Sequence, residues 1–117
     1  MNTGPTARDL DELRGYFDAA ISACDEIGIK DGYPVYPKPI SEFMRYIASS
    51  SWCDHNYKPA ETRDILSRID SASISEVKSA LTAVSRSERF STGAWKTALV
   101  EGRISLVVER AAKILKA

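Results

Sequence analysis

Hydrophobic residues near the start of the chain recur at the spacing of a helix. They are separated by steps of three and four residues and would form one stripe along a helical face: Leu10, Leu13, Phe17, Ala20, Cys24 and Ile27. Thr6 is a suitable N-cap, with Asp9 three residues later, where an acidic residue suits the helix dipole. Gly28 fits the left-handed position that follows many helices. The pattern predicts a first helix that begins near Thr6, after a flexible N-terminus at residues 1–5.

The next segment, residues 30–39, is aromatic and rich in proline. Pro34, Pro37 and Pro39 remove backbone donors and hold the residues before them in extended conformations. The stretch Tyr33–Tyr36 is the only candidate for a β-strand that we find, and it is too short to predict one. We therefore expect an irregular connector here.

Further stripes with helical spacing follow the connector. They cover residues 40–48, 65–69, 74–84, 95–99 and 104–115. Ser73 and Glu76 form a capping-box pair at the start of the third of these stripes, and the hydroxyls of Ser91 and Thr92 are available to cap the next. The pattern predicts an all-α fold, a compact bundle of five to six short helices that forms one domain over residues 6–117.

Composition and charge narrow the class of protein only slightly. The chain is 44% hydrophobic and 27% charged, which is ordinary globular usage, and its net charge of zero argues against binding nucleic acid through bulk charge. Two cysteines are too few for a disulfide framework, and no apolar run approaches the roughly 20 residues that cross a bilayer. We therefore expect a cytoplasmic protein with no membrane contact.

Residues that could carry chemistry are sparse. Cys53, Asp54 and His55 are consecutive, whereas a structural zinc site needs four ligands, usually from two separated pairs. Cys53 and His55 alone also lack the third orienting group of a catalytic triad. The sequence therefore predicts no catalytic residues, no metal and no cofactor, and an enzyme with an unrecognised site is the third-ranked function.

Two groups of residues are candidates for a binding surface. The first is aromatic, in the loops on either side of the second helix, with an arginine of that helix beside it: Tyr33, Tyr36, Tyr57 and Arg45. The second is a basic strip that partly shares one face of the last helix: Arg103, Arg110, Lys113 and Lys116. The size of Trp52 favours burial over a binding role. Non-catalytic protein binding is the favoured function, a nucleic-acid-associated accessory protein is the alternative, and the oligomeric state stays open.

A motif in the last third of the chain is similar to a family signature. The signature runs as an apolar helix, an acid-Arg-Phe triplet, a glycine and an acid-Gly-x-Ile stop; the matching positions are Glu88, Arg89, Phe90, Gly93, Glu101, Gly102 and Ile104. With the similar block at residues 40–47, the likeness covers about residues 33–115. The chain resembles domain-of-unknown-function family 6508, small bacterial and phage-associated proteins. The resemblance implies a helical fold and no known activity. From this class we expect a mobile-element factor that binds a bacterial host machine, for example a defence complex.

The residues of the motif have a structural interpretation of their own. Gly93 and Gly102 suit positions where the backbone excludes a side chain. Phe90 and Trp95 are large enough to wedge two short helices together, and Arg89 is placed to donate to the carbonyls that end the fourth helix. We therefore expect the motif to be a scaffold element.

Overall fold

The computed structural model describes residues 4–116, which form six α-helices and one small sheet. In chain order the elements are α1 (Ala7–Ser22), β1 (Gly28–Lys30), β2 (Tyr33–Val35), α2 (Lys38–Ser49), α3 (Thr62–Ser67), α4 (Ile74–Ser87), α5 (Ala94–Val100) and α6 (Arg103–Lys116). Single 3-10 turns lie at Cys24–Glu26, Pro59–Glu61 and Ile69–Ser71. The predicted helical bundle is confirmed, with the addition of two strands. Of the predicted flexible terminus, residues 1–3 lie outside the described residues.

Local caps start α1 and α4 as expected. The Asp9 backbone N–H donates to the Thr6 hydroxyl at 3.2 Å, and the Asp9 carboxylate accepts from the Thr6 N–H at 2.8 Å. Ser73 and Glu76 repeat this reciprocal pair at the start of α4. The end of α1 differs from the prediction, because the helix stops at Ser22 and Gly28 belongs to β1 without a left-handed φ.

The two strands form an antiparallel hairpin in which Lys30 lies opposite Tyr33. Its two-residue turn uses positive φ angles at Asp31 (54°) and Gly32 (83°), the conformation that Asp-Gly pairs favour between twisted strands. The expectation of an irregular connector is therefore wrong for this part of the segment. Pro34 is tolerated because a two-stranded sheet leaves one side of each strand without a backbone partner.

The core lies around α4, which packs against α2, α3, α5 and α6, while α1 packs against α2 and α6. Trp52 is fully buried, as its size suggested, and its indole N–H donates to the Asp9 carbonyl at 3.3 Å. This bond joins the loop after α2 to the first turn of α1.

Candidate functional site

The turn between α4 and α5, residues 88–93, is organised by one carboxylate. Glu88 accepts the Gly93 N–H at 2.7 Å through Oε2 and the Trp95 N–H at 3.0 Å through Oε1. Gly93 has a φ of 88°, which a residue with a Cβ rarely adopts. The predicted caps from Ser91 and Thr92 are wrong, since α5 has no side-chain bond from its N-cap. A carboxylate that reaches across the turn satisfies two N–H groups and complements the helix dipole.

Tyr36 joins the segment after the hairpin to this turn through hydrogen bonds and a ring contact. Its hydroxyl donates to Glu88 Oε1 at 2.8 Å and accepts the Lys96 N–H at 3.3 Å, while its ring lies tilted against Trp95 at 5.1 Å between centroids. Burial, followed by the bond to the Glu88 carboxylate, raises the pKa of Tyr36 to about 12. Tyr36 was predicted as an interface residue, and the structure instead places its hydroxyl and ring in contacts within the domain.

The predicted wedge role of Phe90 is wrong. Its side chain is 81% exposed, whereas Trp95 is half-buried and its indole N–H donates to the Ser85 carbonyl at 3.2 Å. Glu88 and Gly93 hold the two ends of the turn, and the bulky residue between them extends into solvent. Of these two side chains, Trp95 contacts α4, and Phe90 is left without the predicted packing role.

Arg89 does not cap α4 as predicted. Backbone groups satisfy the carbonyls at the end of this helix: the Arg89 N–H donates to the Arg86 carbonyl at 3.2 Å, and the Phe90 and Ser91 N–H groups both donate to the Ser87 carbonyl at 3.0 Å. The side chain of Arg89 is exposed. The turn thus presents an arginine and a phenylalanine, in consecutive positions, to solvent.

A groove of about 420 Å³ lies on one side of the turn, between α3, α4, α5 and the start of α6. Its walls are mostly apolar, and its lining includes Tyr57, Leu66, Val84, Phe90, Ala98 and Arg103. Phe90 stands at this groove with most of its side chain exposed. An exposed aromatic side chain beside an apolar cleft is a typical arrangement at binding surfaces.

A second depression, of about 550 Å³, lies on the other side of the turn. Its lining includes Met44, Arg45 and Ala48 of α2, together with Arg89 and Trp95. Arg45, predicted to lie beside the aromatic loops, is exposed here. The α4–α5 turn therefore lies between two depressions, one lined by Arg103 and the other by Arg45 and Arg89.

The predicted aromatic residues converge in part. The Arg86 guanidinium lies over the Tyr57 ring at 5.0 Å from its centroid, and Tyr36 reaches Glu88 two residues further along. Both aromatic loops thus contact the C-terminal end of α4. Tyr33 stays on β2 and is 63% exposed. Of the three tyrosines, Tyr33 alone is free of a described side-chain contact and solvent-exposed.

Comparison with known proteins relates the chain to one family. A family model described as a family of unknown function, DUF6508, matches residues 26–117. The chain belongs to the DUF6508 family. No curated protein and no solved structure matches it. The hairpin, the α4–α5 turn and both depressions fall within the matched part of this DUF6508 chain, and α1 lies before it.

The basic strip predicted on α6 is interrupted in this DUF6508 chain. Arg110 is half-buried and its Nε donates to the Ala72 carbonyl at 2.8 Å, while Arg103 pairs with Glu101 at 3.1 Å. Lys113 lines a depression that also contains Glu109. Lys116 is exposed at the end of the helix. Two of the four cations are therefore engaged within the domain, and nucleic-acid binding by this strip stays a prediction.

Cys53 and His55 lie within reach of each other, with 4.0 Å between Sγ and Nδ1. Cys53 is buried and His55 is exposed, and the Asp54 N–H between them donates to the Thr82 hydroxyl at 2.8 Å. Among the described residues, no cluster of three or more His, Cys, Asp or Glu side chains is arranged to hold a metal ion. None of the helices in residues 4–116 is long and apolar enough to cross a membrane.

Proposed function

We propose that this DUF6508 chain is a non-catalytic protein-recognition module that binds its partner through the α4–α5 turn and the two depressions beside it. We call this area the recognition surface. The observation that carries the proposal is the 81% exposure of Phe90 on a turn that is held at both ends. Aromatic side chains supply much of the binding energy at protein interfaces, where they become buried against a partner.

The anchoring of the turn strengthens this interpretation. Glu88 accepts hydrogen bonds from Gly93, Trp95 and Tyr36, and the Ala94 N–H donates to the Ser91 carbonyl at 3.1 Å. A loose loop would lose conformational entropy when it bound, whereas a turn fixed in this way has less to lose. Phe90 is therefore presented in a conformation that is ready for contact.

The roles of the predicted residues change accordingly. Arg45 and Tyr57 belong to the recognition surface, because each lines one of the two depressions, and Tyr33 is a candidate for its rim. Tyr36 supports the turn through its bond to Glu88. Arginine is enriched with aromatic residues at interface hot spots, which suits Arg45 and Arg89. A bacterial host machine as the partner stays a prediction.

The test is to purify partners on the tagged protein, identify them, and measure binding to wild type and variants by calorimetry. We expect Phe90→Ala to weaken binding by about 2 kcal/mol, roughly thirtyfold, with little change in the melting temperature. Ile21→Ala is the matched control, because Ile21 is also exposed but lies on α1, outside the recognition surface. Unchanged binding by Phe90→Ala would refute the proposal.

A further inference from the structure

The charged side chains around Phe90 indicate the chemistry of the partner. Four arginines surround the turn: Arg45 and Arg89 line the depression on one side, Arg103 lines the groove on the other, and Arg86 lies over the Tyr57 ring that forms part of the groove. From this arrangement we infer that the partner contributes an acidic segment with a bulky apolar side chain. The inference rests on the proposed function and specifies the ligand of the same surface.

The arginines around the turn outnumber the carboxylates there. Glu88 accepts hydrogen bonds from three neutral donors and keeps its negative charge, and Glu101 pairs with Arg103. Lys58 and Glu61, on either side of the lining residue Pro59, lie 3.9 Å apart and offset each other. Arg45, Arg86 and Arg89 have no described carboxylate partner. Four arginines therefore stand against two carboxylates, which leaves a local excess of two positive charges in a chain with no net charge. Complementary potential across an interface then favours an acidic partner.

Arg86 is suited to bind a carboxylate. Its guanidinium lies over the Tyr57 ring, which limits the conformations of a long side chain, and none of its N–H donors has a described hydrogen-bond partner. A preorganised arginine loses less entropy when it pairs with a carboxylate than a freely moving one does. The acidic residue of the partner would therefore meet Arg86 beside Tyr57, which lines the groove.

The groove itself selects the apolar part of the segment. Its volume of about 420 Å³ lies within the range of clefts that enclose ligands, and its lining holds one charged side chain, Arg103, among mostly small or apolar ones. The polar groups of the lining are mainly hydroxyls, such as those of Thr62 and Thr97, and most of the exposed wall is apolar, which suits an apolar side chain better than the polar edge of a nucleobase. An aliphatic or aromatic side chain of a protein needs only apolar contact, which the groove and Phe90 supply.

The same charges argue against a second copy of this chain as the occupant. In a two-fold dimer each copy presents the same surface to the other, so Arg86, Arg89 and Arg103 of both copies would face one another. Like charges brought together across an interface disfavour association. A second copy is therefore an alternative for the experiment to exclude.

The probe is a synthetic helical peptide with leucines along one face and glutamates elsewhere. Two matched peptides carry glutamine or lysine in place of glutamate. Isotope-labelled protein is titrated with each peptide, and the backbone amide signals of Ser91, Gly93 and Arg103 are followed. We expect the glutamate peptide to shift these signals saturably. The glutamine peptide should bind at least roughly fivefold more weakly, and the lysine peptide should not bind. Binding of the glutamate peptide should weaken about tenfold from low to high salt.

Charge-reversal variants show which arginines bind the glutamate peptide. Arg86→Glu and Arg89→Glu should each weaken binding of the glutamate peptide by about tenfold. Lys113→Glu is the matched control, since Lys113 lies on α6 outside the groove, and should bind as wild type does. Arg89 is exposed and has no described side-chain bond, so Arg89→Glu tests the inference even if Arg86→Glu unfolds.

Several outcomes would overturn the inference. One is that the glutamine or lysine peptide binds as tightly as the glutamate peptide, and another is that no amide signal shifts up to about 1 mM peptide. The others are that a single-stranded oligonucleotide binds more tightly than the glutamate peptide, or that the protein dimerises and Phe90→Ala abolishes the dimer. The two proposals also separate from each other. If the native partner depends on Phe90 but not on Arg86 or Arg89, protein recognition stands and the acidic segment is wrong.

Discussion

Glu88 is the residue whose removal most directly tests the architecture of the recognition surface. Its carboxylate accepts from the Gly93 N–H, the Trp95 N–H and the Tyr36 hydroxyl at 2.7–3.0 Å. Hydrogen bonds to a charged group contribute ~1.5–3 kcal/mol each, and loss of a helix cap alone costs ~0.5–2 kcal/mol. All four residues are half-buried, and the bonds are lost together, so their effects do not add fully. We expect Glu88→Ala to lower the free energy of unfolding by about 3 kcal/mol.

Urea denaturation followed by far-ultraviolet circular dichroism measures this change, and the melting temperature should fall by roughly 10 °C. Glu88→Gln should lower the free energy of unfolding by about half as much, because the amide keeps one acceptor oxygen but places its NH₂ donor against N–H groups. Glu101→Ala is the matched control. Its carboxylate pairs with Arg103 at the surface, where an ion pair contributes ~0–1 kcal/mol.

A double-mutant cycle with Tyr36→Phe isolates the contact between the hairpin segment and the turn. Removal of the hydroxyl leaves the ring against Trp95, so we expect a coupling energy of about 1 kcal/mol with Glu88→Ala. A Glu88→Ala variant within about 0.5 kcal/mol of wild type would refute the view that this carboxylate holds the turn. Strict additivity in the cycle would show that Tyr36 does not act through Glu88.

Two further predictions concern backbone geometry and pH. Gly102 has a φ of 84° and open space around the Cβ position, so Gly102→Ala should destabilise the protein by ~1–2 kcal/mol through backbone strain alone. Gly15 lies within α1, and Gly15→Ala should stabilise the protein by ~0.5–1 kcal/mol. Equal effects of the two substitutions in urea denaturation would contradict this. Bonding to Arg68, then to the Ser73 N–H, lowers the pKa of Glu76 from 4.5 to about 2, so its contribution to stability is present above the unfolded pKa and is lost as pH falls through about 2. The unfolding free energy of Glu76→Gln should therefore depend less steeply on pH between about 5 and 2, and an identical pH profile would show that Glu76 makes no such contribution.

The helices could be predicted from the sequence because local interactions specify them. The Thr6–Asp9 and Ser73–Glu76 caps join residues three apart, and the stripes they precede depend only on helical periodicity. The hairpin was not predicted, although its turn is also specified locally by Asp31–Gly32. Tyr33–Tyr36 is too short for its alternation to predict a strand, and three prolines indicate an extended connector equally well.

The candidate site depended on contacts that no local pattern contains. Tyr36 and Glu88 are 52 residues apart, and Arg110 meets a carbonyl 38 residues away, so their partners arise only when the helices pack. The sequence singled out Arg89 and Phe90 but assigned them to the scaffold. Which of two large apolar residues near a turn is buried depends on the direction in which the turn holds each one. The hydrogen bonds of Glu88 and the left-handed Gly93 set that direction, and tertiary structure alone decided that Trp95 packs inward while Phe90 faces solvent.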